Sequence, residues 1–285
     1  MTGPVHYDSH MHTPLCKHSW GTPGEYASAA FARGLKGIII TCHNPGPAGW
    51  SQNVRMRMDQ FDEYVAMVDR ARSDWSGRVD VRLGLECDYI PSMESFLNDL
   101  LTKADFHHVL GSVHPMLPYY KEAFLGDDVI EFQRTYFRHL AQAAESGLFD
   151  TLAHPDLVKN VFPKQWDVDV MMGDIRESLD RIAKSGVAME LNTSGIHKHI
   201  KEMNPGPSIL AEMRLRDIPV VLGSDAHTPH RVAAGYVAAL DLLHKTGFTE
   251  VHYFLARKMH ATPLEVVRRS LRHETMSGST FPQPI

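Results

Sequence analysis

The apolar positions of this chain come in short runs that alternate between two spacings. Val5 to His12 reads as a first strand, and Gly37-Ile38-Ile39-Ile40-Thr41 is a continuous apolar run, as suits a parallel strand covered on both faces. Val79 to Tyr89, Phe106 to His114, Phe149 to His154, Val187 to Asn192 and Ile218 to Ser224 supply five more strands. Segments of helical spacing separate them. Thr22-Pro23-Gly24-Glu25 is a capping box with Pro at the first helical position, and its helix runs to Gly34. Phe61, Val65, Val68 and Ala71 mark a second helix after a loop over 45–49, and Met93, Phe96, Leu97, Leu100 and Leu101 mark a third. Further helices are expected over 128–146, 170–184, 207–216 and near 232–243, with Thr262-Pro263-Leu264-Glu265 opening the last.

Seven strands alternating with helices predict one parallel α/β domain over residues 1–275, with a Ser/Gly/Pro-rich, loosely held tail at 276–285. A polar group stands where run after run ends: His10 and His12, His43, Glu86, His114, His154, and Asp225 with His227. An open doubly wound sheet gathers its site at one crevice from two or three strands, whereas a closed barrel collects side chains from every strand end at one mouth. Contributions from six strand ends favour a seven-stranded, TIM-like barrel.

Composition narrows the partners. The 285 residues carry a formal net charge of −5, which argues against a long nucleic acid, and no run approaches the ~20 apolar residues that span a bilayer. Three cysteines, Cys16, Cys42 and Cys87, form no paired framework and read as reduced thiols of a cytoplasmic protein. Eighteen histidines are a high load, consistent with metal. His10 and His12 sit one residue apart, so an extended backbone aims both imidazoles to one side. Imidazoles with few carboxylates suit Zn, Fe or Mn, whereas Ca or Mg would require mostly oxygen ligands. A carboxylate can bridge two ions and a neutral imidazole cannot, so Glu86 is the natural bridge.

His10-x-His12, Thr41-x-His43, Glu86, Ser112-Val113-His114, His154-Pro155 and Asp225-x-His227, in that order along nearly the whole chain, resemble the polymerase-and-histidinol-phosphatase (PHP) family of metal phosphoesterases. Pro155-Asp156 and Asn192-Thr193-Ser194-Gly195 resemble its histidinol-phosphatase branch. The resemblance implies a distorted seven-stranded barrel with three divalent metal ions. His10, His12, Glu86 and Asp225 would hold the first. Glu86, His114 and His154 would hold the second, and His18, His43 and His227 the third. The implied activity is hydrolysis of a small phosphate monoester, with L-histidinol phosphate the first substrate to try. A metal-bridging hydroxide would attack phosphorus, and Glu86 and Asp225 would serve the chemistry.

Lys159, His197, Lys198 and Arg231 are candidate substrate-binding residues in loops after strands, against an even chance of being solvated surface charge. The family usually has Asp where this chain has Cys42, which reads here as a buried thiol with an altered contact to a ligating histidine. The competing readings are a phosphodiesterase acting on nucleotides or cyclic phosphates, an amidohydrolase-type C–N hydrolase, and a non-catalytic module. Oligomeric state is not legible.

Overall fold

Strands buried on both faces need a helix over each outer face, and the chain alternates accordingly. The computed structural model describes residues 3–47 and 50–272, so the tail expected at 276–285 lies outside the described residues. β1 (Tyr7–Asp8), β2 (Gly37–Ile40), β3 (Asp80–Asp88), β4 (His108–Ser112), β5 (Thr151–Leu152), β6 (Ala188–Asn192) and β7 (Val220–Gly223) pair in parallel and in sequence order. The ring closes at the carboxyl ends of the strands. Met11 bridges Ala226, His12 N–H donates to the Ala226 carbonyl at 3.0 Å, and Ala226 N–H donates to the His10 carbonyl at 3.2 Å. This is the expected α/β barrel.

The helices are α1 (Pro23–Ala32), α2 (Phe61–Asp74), α3 (Glu94–Leu101), α4 (Pro118–Phe124), α5 (Val129–Glu145), α6 (Val168–Ser185), α7 (Pro207–Leu215), α8 (Tyr236–Thr246) and α9 (Leu264–Ser270). The capping box of α1 forms as expected: Thr22 Oγ1 accepts from Glu25 N–H, and Glu25 Oε2 accepts from Thr22 N–H at 2.7 Å. α5 starts where Asp128 accepts from the N–H groups of Ile130 and Glu131, and buries Phe132, Tyr136, Phe137 and Leu140 against the barrel. α4, which the spacing does not predict, begins with Pro118 at its first position.

Two expectations need correction. The first strand pairs with β2 only at Tyr7–Asp8; beyond it, two backbone donors turn to side chains before Met11 and His12 pair with Ala226. His10 N–H donates to the Asp8 carboxylate, and Met11 N–H donates to the Thr41 hydroxyl at 3.1 Å. Asp8 also accepts from the N–H groups of Ser224 and Ala233, at 3.1 and 2.8 Å, tying the first strand to the last of the ring. Secondly, among the described residues the seven-stranded ring carries two further strands. β8 (Glu250–Leu255) touches β7 at one register position and forms an antiparallel hairpin with β9 (Lys258–Pro263).

That hairpin crosses the amino-terminal end of the barrel. Tyr253 stacks on Tyr7 with ring centroids 4.8 Å apart, Phe254 stacks on His108 at 5.0 Å, and Arg257 N–H donates to the His107 carbonyl. His6 and His108 are thereby buried beneath it. The opposite mouth is where the polar groups gather.

Candidate metal centre

Glu86 lies within β3 with no solvent exposure, and its two oxygens face different histidines. Oε2 is 3.4 Å from His10 Nε2, 3.7 Å from His12 Nε2 and 2.7 Å from His43 Nδ1. Oε1 is 2.9 Å from His154 Nε2 and 3.5 Å from His114 Nε2. Asp225, just past β7, turns Oδ1 toward His12 (3.1 Å), His227 (3.5 Å) and His10 (3.7 Å). The rings of His12 and His227 stack at 4.0 Å, and His18 lies 4.7 Å from His227 and 5.4 Å from His43. All nine sequence-predicted ligands thus meet at one mouth, drawn from β3 and from the segments that follow β1, β2, β4, β5 and β7. His18, in the loop after β1, is the most exposed of them. His154 and Asp225 hold left-handed backbone (φ 32° and 49°), which non-glycine residues adopt at a cost of about 1–3 kcal/mol.

Charge balance explains why such a cluster needs cations. Burial pushes the Glu86 carboxyl up, but His43, His10 and His114 outweigh it and hold its pKa well below the usual range. Burial depresses His10 too, yet Glu190, Glu86 and Asp225 lift it well above an ordinary histidine, and His12 is raised to about 9. His43 and His227 go the other way, held neutral by burial and by neighbouring cations. His10 Nε2 is buried without a hydrogen-bond partner, and His43 Nδ1 and Glu86 Oε2, though 2.7 Å apart, are buried with poor hydrogen-bond alignment. Buried polar atoms are nearly always satisfied. Lone pairs left over at the meeting point of imidazoles and carboxylates fit divalent ions. Three of the groupings suited to an ion are His10 with His12 and Glu86, His43 with Glu86 and His114, and His12 with His43 and His227.

Comparison with known proteins places this geometry. The model of the PHP domain matches residues 8–194, about two thirds of the chain. A Deinococcus radiodurans protein named "Probable histidinol-phosphatase" is 38% identical over 258 residues, covering 88% of this chain and 97% of its own. The chain belongs to the PHP family. The histidinol-phosphatase of Bacillus subtilis is 27% identical over 82% of this chain and 98% of its own. Among solved structures, histidinol phosphate phosphatase from Lactococcus lactis, complexed with zinc, L-histidinol and phosphate, superposes with a TM-score of 0.74 at 22% identity. It covers 90% of this chain and 98% of that one. The PHP match ends before Asp225 and His227, which β7 and the Met11–Ala226 bridge bring back to the site.

Sequence reasoning missed the groups behind the ligands. Glu190, on β6, puts Oε1 2.7 Å from His10 Nδ1 and accepts from His154 N–H at 2.8 Å through Oε2. Gly223 makes room for it, since a Cβ there would collide with the Glu190 carboxylate and with His10. Asp88 lies against His114 Nδ1 and is clamped by buried Arg55, whose Nε and Nη2 donate at 2.5 and 2.9 Å. Charged residues inside the apolar runs of β3 and β6 were the available signal. Arg55, in a loop, had none.

The four substrate-binding candidates divide. Lys159 is fully buried, and its ammonium donates to Asp156 (2.8 Å), Glu202 (3.0 Å) and the Met203 carbonyl (3.0 Å). Three donors spent on three acceptors leave none for a substrate, so Lys159 pins the 202–206 loop instead. Lys198 Nζ lies 3.7 Å from Asp225 Oδ2, which also accepts from Ser194 Oγ at 2.9 Å. Burial, and then the charges of Arg231 and Lys198, lower the pKa of His197, which keeps its ring neutral beside those two cations. Among the described residues no helix is long and apolar enough to cross a membrane.

Proposed function

We propose that this chain hydrolyses a small phosphate monoester, L-histidinol phosphate, to its alcohol and inorganic phosphate at a centre of three divalent ions. The observation that carries this reading is the division of Glu86: one oxygen turned to His10, His12 and His43, the other to His114 and His154. His10, His12, Glu86 and Asp225 would hold one ion, Glu86, His114 and His154 a second, and His18, His43 and His227 a third. Zinc is the first choice, given the donor set and the zinc bound by the Lactococcus lactis relative. Bound there, such ions supply Lewis acidity toward phosphoryl oxygens and acidify water.

The chain's own residues do the rest. Lys198 and Arg231 give the mouth fixed positive charge for an anionic substrate. Asp225 Oδ2, with Ser194 donating to it, is an acceptor on the outer edge of the cluster and is the candidate to orient water or hold its proton. His10 is kept in one orientation by Glu190, and His114 by Asp88 with Arg55.

The test is phosphate release by zinc-, manganese- and iron-loaded protein from L-histidinol phosphate, nucleoside monophosphates, a cyclic phosphate and a short oligonucleotide. Preference for histidinol phosphate by at least tenfold in kcat/KM is expected. Equal or better turnover of the nucleotides or the cyclic phosphate would overturn the substrate assignment, and no release from any of them would overturn the activity.

A further inference from the structure

Four of the histidines around the cluster share one arrangement, from which His12 and His154 depart. The four present one nitrogen to the centre while an acceptor holds the other from behind. His10 Nδ1 is 2.7 Å from Glu190 Oε1, and His114 Nδ1 lies against Asp88. His18 Nδ1 is 2.7 Å from the Cys16 carbonyl, and His227 Nδ1 is 3.0 Å from the Asp225 carbonyl. His12 presents Nε2 to Asp225 at 3.1 Å, but its Nδ1 is buried with no hydrogen-bond partner, as is the Nδ1 of His154.

Two sulfurs lie close to the ring. Ligand-capable atoms of His12, Cys16 and Cys42 lie within 4.8 Å of one another, and all three residues are buried. Both cysteines are free thiols. Cys42 Sγ accepts from Thr13 N–H at 3.4 Å and from the Thr13 hydroxyl at 3.2 Å, and donates its own S–H to the Thr13 carbonyl at 3.7 Å. With its proton turned to that carbonyl, the sulfur keeps lone pairs for further donors, and the His12 ring is close enough to supply one.

We propose that Cys42, backed by Cys16, is the positioning residue for His12, doing for that imidazole what Glu190 does for His10 and Asp88 for His114. The sulfur accepts from Nδ1–H, which fixes the tautomer and leaves the Nε2 lone pair for the ion. Loss of such a contact behind a ligating histidine typically weakens metal affinity 10–100-fold. The proposal rests on the reading of His12 as a ligand, and the experiment separates the two.

Cobalt affinity and ion count are measured by competitive titration of the full chain for the unaltered protein, His12→Ala, Cys42→Ala, Cys42→Ser and Cys42→Asp. His12→Ala should lose an ion. Cys42→Ala should keep the ion count at saturation but bind the weakest ion about 10–100-fold less tightly, with KM of the loaded enzyme unchanged. Cys42→Asp, which restores an acceptor at the same place, should return affinity to within a few-fold of the unaltered protein. Unchanged affinity in Cys42→Ala, or an Asp variant as weak as the Ala variant, overturns the proposal. So does a sulfur-to-cobalt charge-transfer band, which would make Cys42 or Cys16 a ligand. A full ion count in His12→Ala would instead overturn the ligand reading itself. Should Cys42→Ala not fold, the near-isosteric Ser variant and 15N spectra of the zinc-loaded unaltered protein decide. There the His12 proton is expected on Nδ1, and a proton on Nε2 contradicts the proposal.

Discussion

Glu86 is a fully buried carboxylate whose two oxygens serve opposite sides of one cluster, so its charge and its shape matter separately. Glu86→Gln keeps the shape and removes the charge. The variant should lose at least one bound ion and about 10²–10³ in kcat, measured by metal analysis and phosphate release on the same sample. A variant that keeps full metal content and turnover would show that the carboxylate does not bridge. Glu190 never reaches the substrate side, yet it holds His10 and the His154 backbone together. Glu190→Ala should weaken metal binding about 10–100-fold while leaving KM of the loaded enzyme near its starting value, as titration with a competing chelator would reveal.

At the scale of elements, the β8–β9 hairpin is the part the chain hid best. Its turn, Ala256-Arg257, holds both residues in left-handed backbone (φ 49° and 61°), a conformation that Asn-Gly usually announces. Without that signal, 250–263 reads as a connection between two helices. The hairpin is nonetheless structural: Phe254 packs with Ala188 and Val221 and stacks on His108. Phe254→Ala should cost about 3–5 kcal/mol in urea unfolding and leave the metal count unchanged, because it lies at the far end from the cluster. A loss of bound ions in a folded Phe254→Ala would mean that the two ends are coupled. By contrast, β2, β6 and α1 were legible because each depends on local rules: continuous apolar runs for the two strands, and a capping box with Pro for the helix. The first strand was overread because its residues look extended, while the His10 and Met11 N–H groups go to the Asp8 and Thr41 side chains and interrupt its ladder.

Across the whole molecule, the ligands were legible because a closed parallel barrel forces strand ends to one mouth, whatever their separation in sequence. The supporting shell was less so: Glu190 and Asp88 stand out only as charges inside apolar runs, and Arg55 is set by tertiary contact alone. The opposite end carries its own consequence for stability. His6 and His108 are buried neutral, each lowered to about 3 by burial and then by a neighbouring histidine, His252 and His10 respectively, while unfolded histidines titrate near 6.5. Below about pH 6.5 the unfolded chain binds protons that the folded one refuses, so each contribution is intact above that pH. It is lost progressively as pH falls toward 3, at up to about 1.4 kcal/mol per pH unit for each residue. His6→Leu should therefore flatten the fall in unfolding free energy between pH 6 and 4 by about one proton's worth, and an unchanged slope would show that His6 is not buried neutral. The convergence of nine side chains on a cluster of cations is tested most directly by a crystal grown with zinc and an anomalous difference map recorded at the zinc edge. Peaks are expected on both sides of Glu86, one among His10, His12 and Asp225 and one between His114 and His154, with a third beside His18, His43 and His227. A map with no peak touching either Glu86 oxygen would contradict the account.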